Sequence, residues 1–189
     1  MSTQSQAGRR SDLAATLPLV RGPLLWMVPA IITVHNLEEL AGMPAALLAM
    51  PGKIPAGIPV GILQFPPSPV QFMLALLIVT VLPYIFASLT LAGERPGTRR
   101  LGILLLAGTQ AVMLVNVFSH LGMARLLGGY APGIVTALAL NLPFSVLFFG
   151  SALRQGWLAR HDLPWLALAA LLVHSIGLLA LMWMVGYLA

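Results

Sequence analysis

The sequence contains no cysteine. Disulfides, thiolate metal sites and a cysteine nucleophile are therefore excluded. Charge is the second scarcity. Only 8% of the 189 residues are Asp, Glu, Lys or Arg, against roughly a quarter in an ordinary soluble domain. A chain this poor in charge cannot cover itself with polar surface. Acidic groups are the rarest, five against ten basic ones, and the pI is about 10.8. That basicity does not point to nucleic acid. The Lys and Arg residues form no basic helix and no aromatic-interleaved patch, and they sit at the ends of apolar runs, as topology signals in membrane proteins do.

What the chain has in quantity is apolar surface. Hydrophobic residues make up 59% and the mean hydropathy is +0.93, so lipid is the expected solvent and the bilayer the first expected partner. Five runs approach or exceed the ~20 residues needed to span a bilayer, at about 22–42, 69–92, 101–124, 133–153 and 164–188. The pattern predicts an all-α fold, a polytopic membrane helix bundle of about five transmembrane helices in one domain, 21–189. Residues 1–20 are polar and read as a disordered tail before an uncleaved signal anchor. GERPGTRR (93–100) reads as a polar turn, and RQGWLARHD (154–162) as a short charged connector.

Charge sets the expected orientation. Arg9, Arg10, Arg21, Arg95, Arg99, Arg100, Arg154 and Arg160 fall on one side, and only Lys53 and Arg125 on the other. The excess places the N-terminus in the cytoplasm and the C-terminus outside. The first external connector, 43–68, contains Pro44, Pro51, Pro55, Pro59, Pro66 and Pro67 among Leu, Ile and Met. It is expected either to pack on helix ends or to cover a site as a lid.

The first run holds ITVHNLEELAG, residues 32–42. At ~100° per residue, His35, Glu38 and Glu39 project within an arc of roughly 100° and form one polar stripe. Leu37 points to the far side. A charged carboxylate at mid-bilayer costs ~2.5–3.5 kcal/mol on insertion scales, so both glutamates need a proton, hydrogen bonds, water or a cation. The third run carries Asn116 and His120 at i, i+4 on one face. At 1.5 Å per residue, His35–Glu39 lie roughly 4–11 Å above the midplane and Asn116–His120 roughly 6–12 Å above it. The two stripes share a level. Asn141 is expected just to the outer side of the midplane, with Pro143 freeing a nearby carbonyl, and His174 near the middle as a helix bridge. His161 is expected to be solvated beside Asp162, Arg125 to snorkel, and the methionines to fill apolar space.

Two histidines and two carboxylates at one depth suit a divalent cation, Zn²⁺ or Fe²⁺. The candidate ligands are His35, Glu38, Glu39 and His120. A catalytic site takes three protein ligands, so one glutamate can ligate while the other accepts a proton. Asn116 can orient a carbonyl or an oxyanion. The H-x-x-E-E spacing alone is weak, since it is not the H-E-x-x-H zinc motif.

His35-Asn36-Leu37-Glu38-Glu39, the later His120 and Tyr130-Ala131-Pro132-Gly133 together resemble the HXXEE-domain family of small bacterial integral membrane proteins. All three features occur in the family's order. The resemblance implies several membrane helices, a bacterial inner (cytoplasmic) membrane location and an enzymatic role, and it specifies no reaction. Physically, Tyr130-Ala131-Pro132-Gly133 is a turn opening the fourth run, with Pro132 suited to a first helical turn. Tyr130 is expected at the interface, as an anchor or as a substrate-contacting phenol.

Three functions follow as expectations. The first is intramembrane, metal-dependent hydrolysis of a hydrophobic or lipid-like small molecule, with Glu38, Glu39, Asn116 and Tyr130 as the catalytic set. The second is metal-free acid–base isomerisation or cyclisation. The third is proton- or cation-coupled transport, for which the absence of an internal repeat is unfavourable unless the chain forms a homo-oligomer.

Overall fold

Proline and glycine punctuate the helices of the computed structural model, which describes residues 18–49 and 67–187. Ser68 and Gln71 form a reciprocal capping box ahead of a helix that starts at Pro69. Pro96 occupies the first turn of the next, where its missing N–H costs nothing. That helix ends at Gly128, whose left-handed backbone (φ 75°) closes on the carbonyls of Ala124 and Arg125, a glycine C-terminal stop.

The described residues form five helices and no strand. They are α1 (Pro18–Ala49), α2 (Pro69–Ala92), α3 (Pro96–Leu127), α4 (Ile134–Arg154) and α5 (Asp162–Gly186). Each of the last two contains one widened π-turn, Ala137–Asn141 in α4 and Val173–Gly177 in α5. By length and composition, α2, α3, α4 and α5 are apolar enough to cross a membrane. α1 has the length, 32 residues, and carries His35, Glu38 and Glu39 within its apolar run. Its outward positions remain apolar: Val34 is 47% and Leu37 58% exposed, as a lipid-facing flank requires.

Several boundaries differ from expectation. α1 begins at Pro18 and runs to Ala49, so 18–20 belong to a helix and not to the tail. Pro44 lies inside its last turns, a tolerance common in membrane helices. The expected turn 93–100 shrinks to 93–95, because Pro96 starts α3 instead of breaking the chain. α4 opens at Ile134, after Pro132 and Gly133, so Pro132 belongs to the turn and not to the first helical residues. The rest of the expected tail and the possible lid over 50–66 lie outside the described residues.

α1 packs on α2, α2 on α3, and α3 on the first half of α5, while α4 leans across α3 and α1. The apolar core draws Leu25, Val28 and Ile32 from α1, Leu106 and Ala107 from α3, and Phe144 and Phe148 from α4. At one end of the bundle Arg100 holds Asp162 at 2.7 Å, tying the starts of α3 and α5 together. The polar stripe of α1 lies toward the opposite end, beside the α3–α4 turn.

Candidate functional site

The inward face of α1 repeats at helical spacing: Leu25, Val28, Ile32, His35, Glu39 and Met43 are all buried. A stripe that is apolar elsewhere thus carries an imidazole and a carboxylate into the interior. α3 supplies the opposite wall from Asn116 and His120, and His120 is also buried. Neighbouring Asn36 turns aside to donate to Thr80 Oγ1 of α2 at 2.6 Å.

Three ligand-type atoms converge. His35 Nε2 and His120 Nε2 are 3.2 Å apart. Glu39 Oε1 lies 3.2 Å from His120 Nε2 and 3.8 Å from His35 Nε2. Ligands on a tetrahedral ion with bonds of 2.0–2.1 Å are separated by about 3.3 Å. The three observed edges bracket that value. His35, Glu39 and His120 therefore form a buried group that can hold a metal ion.

The tautomer of His35 follows from its other nitrogen. Thr136 Oγ1 has one hydrogen. It lies 2.6 Å from Glu38 Oε2, and 3.3 Å from the carbonyl of Gly133. Donating to the nearer carboxylate leaves the Thr136 oxygen to accept from His35 Nδ1, 2.8 Å away. The proton of His35 thus sits on Nδ1 and its Nε2 lone pair faces the group. Asn116 Nδ2 is 2.9 Å from His35 Nε2 and 3.0 Å from His120 Nε2. One of its hydrogens meets the His35 lone pair. His35 thus points an unprotonated nitrogen at the group, the state that ligation requires, while the second amide hydrogen faces His120 Nε2, whose ring has no partner at Nδ1 among the described residues.

Glu38 does not join this group. Its carboxylate accepts four hydrogen bonds: from Tyr130 Oη (2.8 Å), Val135 N (3.2 Å), Thr136 N (2.8 Å) and Thr136 Oγ1 (2.6 Å). Val135 and Thr136 are in the first turn of α4, whose N-cap is Gly133 and has no side chain to offer. Glu38 therefore caps α4 from another helix, where orphan N–H groups and the helix dipole favour an anion. It reaches the triad only through Thr136 and His35. Tyr130 is 58% exposed, and its hydrogen bond to Glu38 holds the phenol above its ordinary value.

Gly133 explains the end of the Tyr130–Gly133 turn. Its φ is +87°, and a Cβ there would meet His120 Cε1, Glu39 Cγ (2.9 Å) and His120 Nε2 (2.9 Å). Glycine is needed twice over, for the left-handed backbone and for the close approach. The turn also presses Pro132 onto α1 at Gly42, where an added Cβ would come within 2.9 Å of Pro132 Cγ.

The structure thus brings together His35, Glu39, Asn116 and His120, and places Glu38 and Tyr130 one layer out. Depth matching alone had paired the α1 and α3 stripes. Thr136 was not singled out from sequence, because a lone threonine in an apolar helix carries no distinctive pattern. His174 bridges helices as expected, 2.6 Å from Ser119 Oγ.

A profile of the family described as "Protein of unknown function with HXXEE motif" matches residues 26–148. Comparison with curated proteins returns no match, and comparison with solved structures returns none.

Proposed function

The chain belongs to the HXXEE family, and from that premise we propose that it is an intramembrane, metal-dependent hydrolase of a hydrophobic substrate. One observation carries the reading. His35 Nε2, His120 Nε2 and Glu39 Oε1 are separated by 3.2, 3.2 and 3.8 Å, the edges of a tetrahedral Zn²⁺ or Fe²⁺ site. Three protein donors are the complement of a catalytic rather than a closed structural zinc. The arginine bias supports an outer-half position for this site.

In this reading the ion supplies Lewis acidity toward a carbonyl or phosphoryl oxygen. The chain does the rest. His35, His120 and Glu39 would hold the ion. Thr136 keeps the His35 proton on Nδ1, and Glu38 holds Thr136, so both are positioning residues. Asn116 Nδ2, which faces both Nε2 atoms, would turn its amide away from them when the ion is held and could then orient a substrate carbonyl. Tyr130, exposed above Glu38, marks the mouth.

The test is metal analysis of protein purified in detergent, together with hydrolysis of a panel of lipid esters. Wild type is expected to carry about one ion per chain, and His120→Ala and Glu39→Gln to carry none. If no metal copurifies or rebinds, and hydrolysis survives chelation, the proposal fails.

A second reading is metal-free acid–base catalysis. It is favoured by the 3.2 Å separation of His120 Nε2 and Glu39 Oε1, across which one proton can be held and returned. Turnover that is indifferent to chelators but abolished by Glu39→Gln would select it.

A further inference from the structure

Further into the bundle the same helices bury a second polar group whose hydrogen-bonding capacity is unfilled. Asn141 of α4 is 0% exposed, and neither its Nδ2 nor its Oδ1 has a partner among the described residues. Gln110 of α3 is also 0% exposed. Its Nε2 donates to Ser145 Oγ at 2.8 Å, while its Oε1 has no partner among the described residues. Ser145 Oγ in turn donates to the Asn141 carbonyl at 2.7 Å. Three buried polar atoms on facing helices are left without partners.

Their position is set by the helices that build the triad. At 1.5 Å per residue, Gln110 lies about 9 Å below Asn116 along α3, and Asn141 about 7 Å below Thr136 along α4. The π-turn Ala137–Asn141 makes the alignment on α4 possible. In a regular helix five residues advance about 500°, which would set Thr136 and Asn141 about 140° apart. The widened turn keeps both in the interior, one touching His35 and the other buried beside Ser145. Pro143 carries no N–H, so a carbonyl of the preceding turn also loses its donor.

Groups of this kind are not left dry in a membrane interior. The unfilled set is one amide donor and two carbonyl acceptors with no charged side chain among them. A bare cation could meet the two carbonyl oxygens but would leave the Asn141 amide donor unsatisfied, so the complement fits a small neutral molecule that both donates and accepts. Met113, one turn along from Gln110, and Phe144, next to Ser145, are buried apolar neighbours, which leaves the site to a small molecule. We infer that Gln110, Asn141 and Ser145 form a binding site for internal water within the bundle, a hydrated chamber beneath the His35–Glu39–His120 group. It extends the polar interior from the triad toward the middle of the membrane and does not depend on a metal being bound.

Hydroxyl-radical pulses with mass spectrometry test this on the full chain in detergent with a chelator present. Radicals form from water, so a buried methionine is oxidised when water is bound beside it. Met113 is the reporter. Met43, buried among Leu47, Phe72 and Leu76, is the dry control. Met113 is expected to oxidise about tenfold faster than Met43 and to fall to the Met43 rate in Asn141→Leu, as a polar, water-filled site would require. Circular dichroism checks that the variant keeps its helix content, and Gln110→Leu probes the same site from α3 if it does not. Met113 protected as well as Met43 in the folded wild type, or oxidised equally in a folded Leu variant, overturns the inference.

Discussion

Replacing Thr136 by valine removes one hydroxyl and almost no volume, and it isolates the link between Glu38 and the triad. Two hydrogen bonds are lost, from His35 Nδ1 to Oγ1 (2.8 Å) and from Oγ1 to Glu38 Oε2 (2.6 Å). Glu38 keeps Tyr130 and the two backbone donors of α4, so the cap survives. His35 fares worse, because it is 0% exposed and its Nδ1–H loses its acceptor. An unsatisfied buried donor costs about 1–3 kcal/mol, which sets the expected fall in stability. His35 can escape that cost by moving its proton to Nε2, but the lone pair facing Glu39 and His120 then disappears. Loss of such an outer-shell partner lowers metal affinity by about 10–100-fold. Thr136→Ser keeps both hydrogen bonds and should bind as wild type does. Competitive zinc titration against a chromophoric chelator, with thermal unfolding in the same detergent, reads both effects. Zinc binding by Thr136→Val within about twofold of wild type, well under the tenfold that corresponds to 1.4 kcal/mol, would refute the assignment of the His35 tautomer to Thr136.

The two glutamates should separate cleanly. Glu39→Gln is expected to abolish zinc binding with a small change in melting temperature. Glu38→Gln, which loses charge-assisted hydrogen bonds worth about 1.5–3 kcal/mol each, should melt earlier and still retain zinc; the opposite pattern would exchange their roles. Gly133→Ala places a side chain at φ +87° against Glu39 and His120, for about 1–2 kcal/mol of backbone cost and about 1–3 kcal/mol of overpacking. An unchanged melting temperature would contradict that crowding. The Tyr130 phenol, raised above 10.0 by Glu38, contributes stability that is full below the ordinary phenol value. That stability is lost as pH rises through the folded one. Ultraviolet titration should therefore show a late-ionising tyrosine that is missing in Tyr130→Phe and returns to the ordinary range in Glu38→Gln.

Much of this was legible before any tertiary structure. Low charge, long apolar runs and proline–glycine breaks determine a helical membrane protein, because each of these is a local property of a segment. The 3.6-residue period puts His35 and Glu39 on one face of α1, and equal rise puts Asn116 and His120 at the same level on α3. What a period cannot reveal is which of two adjacent glutamates faces a neighbour, because Glu38 and Glu39 flank His35 on either side. Only packing decided that. α4 arrives with a bare glycine N-cap and takes Glu38 as its cap, while Gly133 leaves just enough room for Glu39 to meet both imidazoles. Thr136 and the π-turn below it were invisible for the same reason. Their roles are contacts between helices far apart in the chain, and contacts of that kind exist only once the helices are assembled.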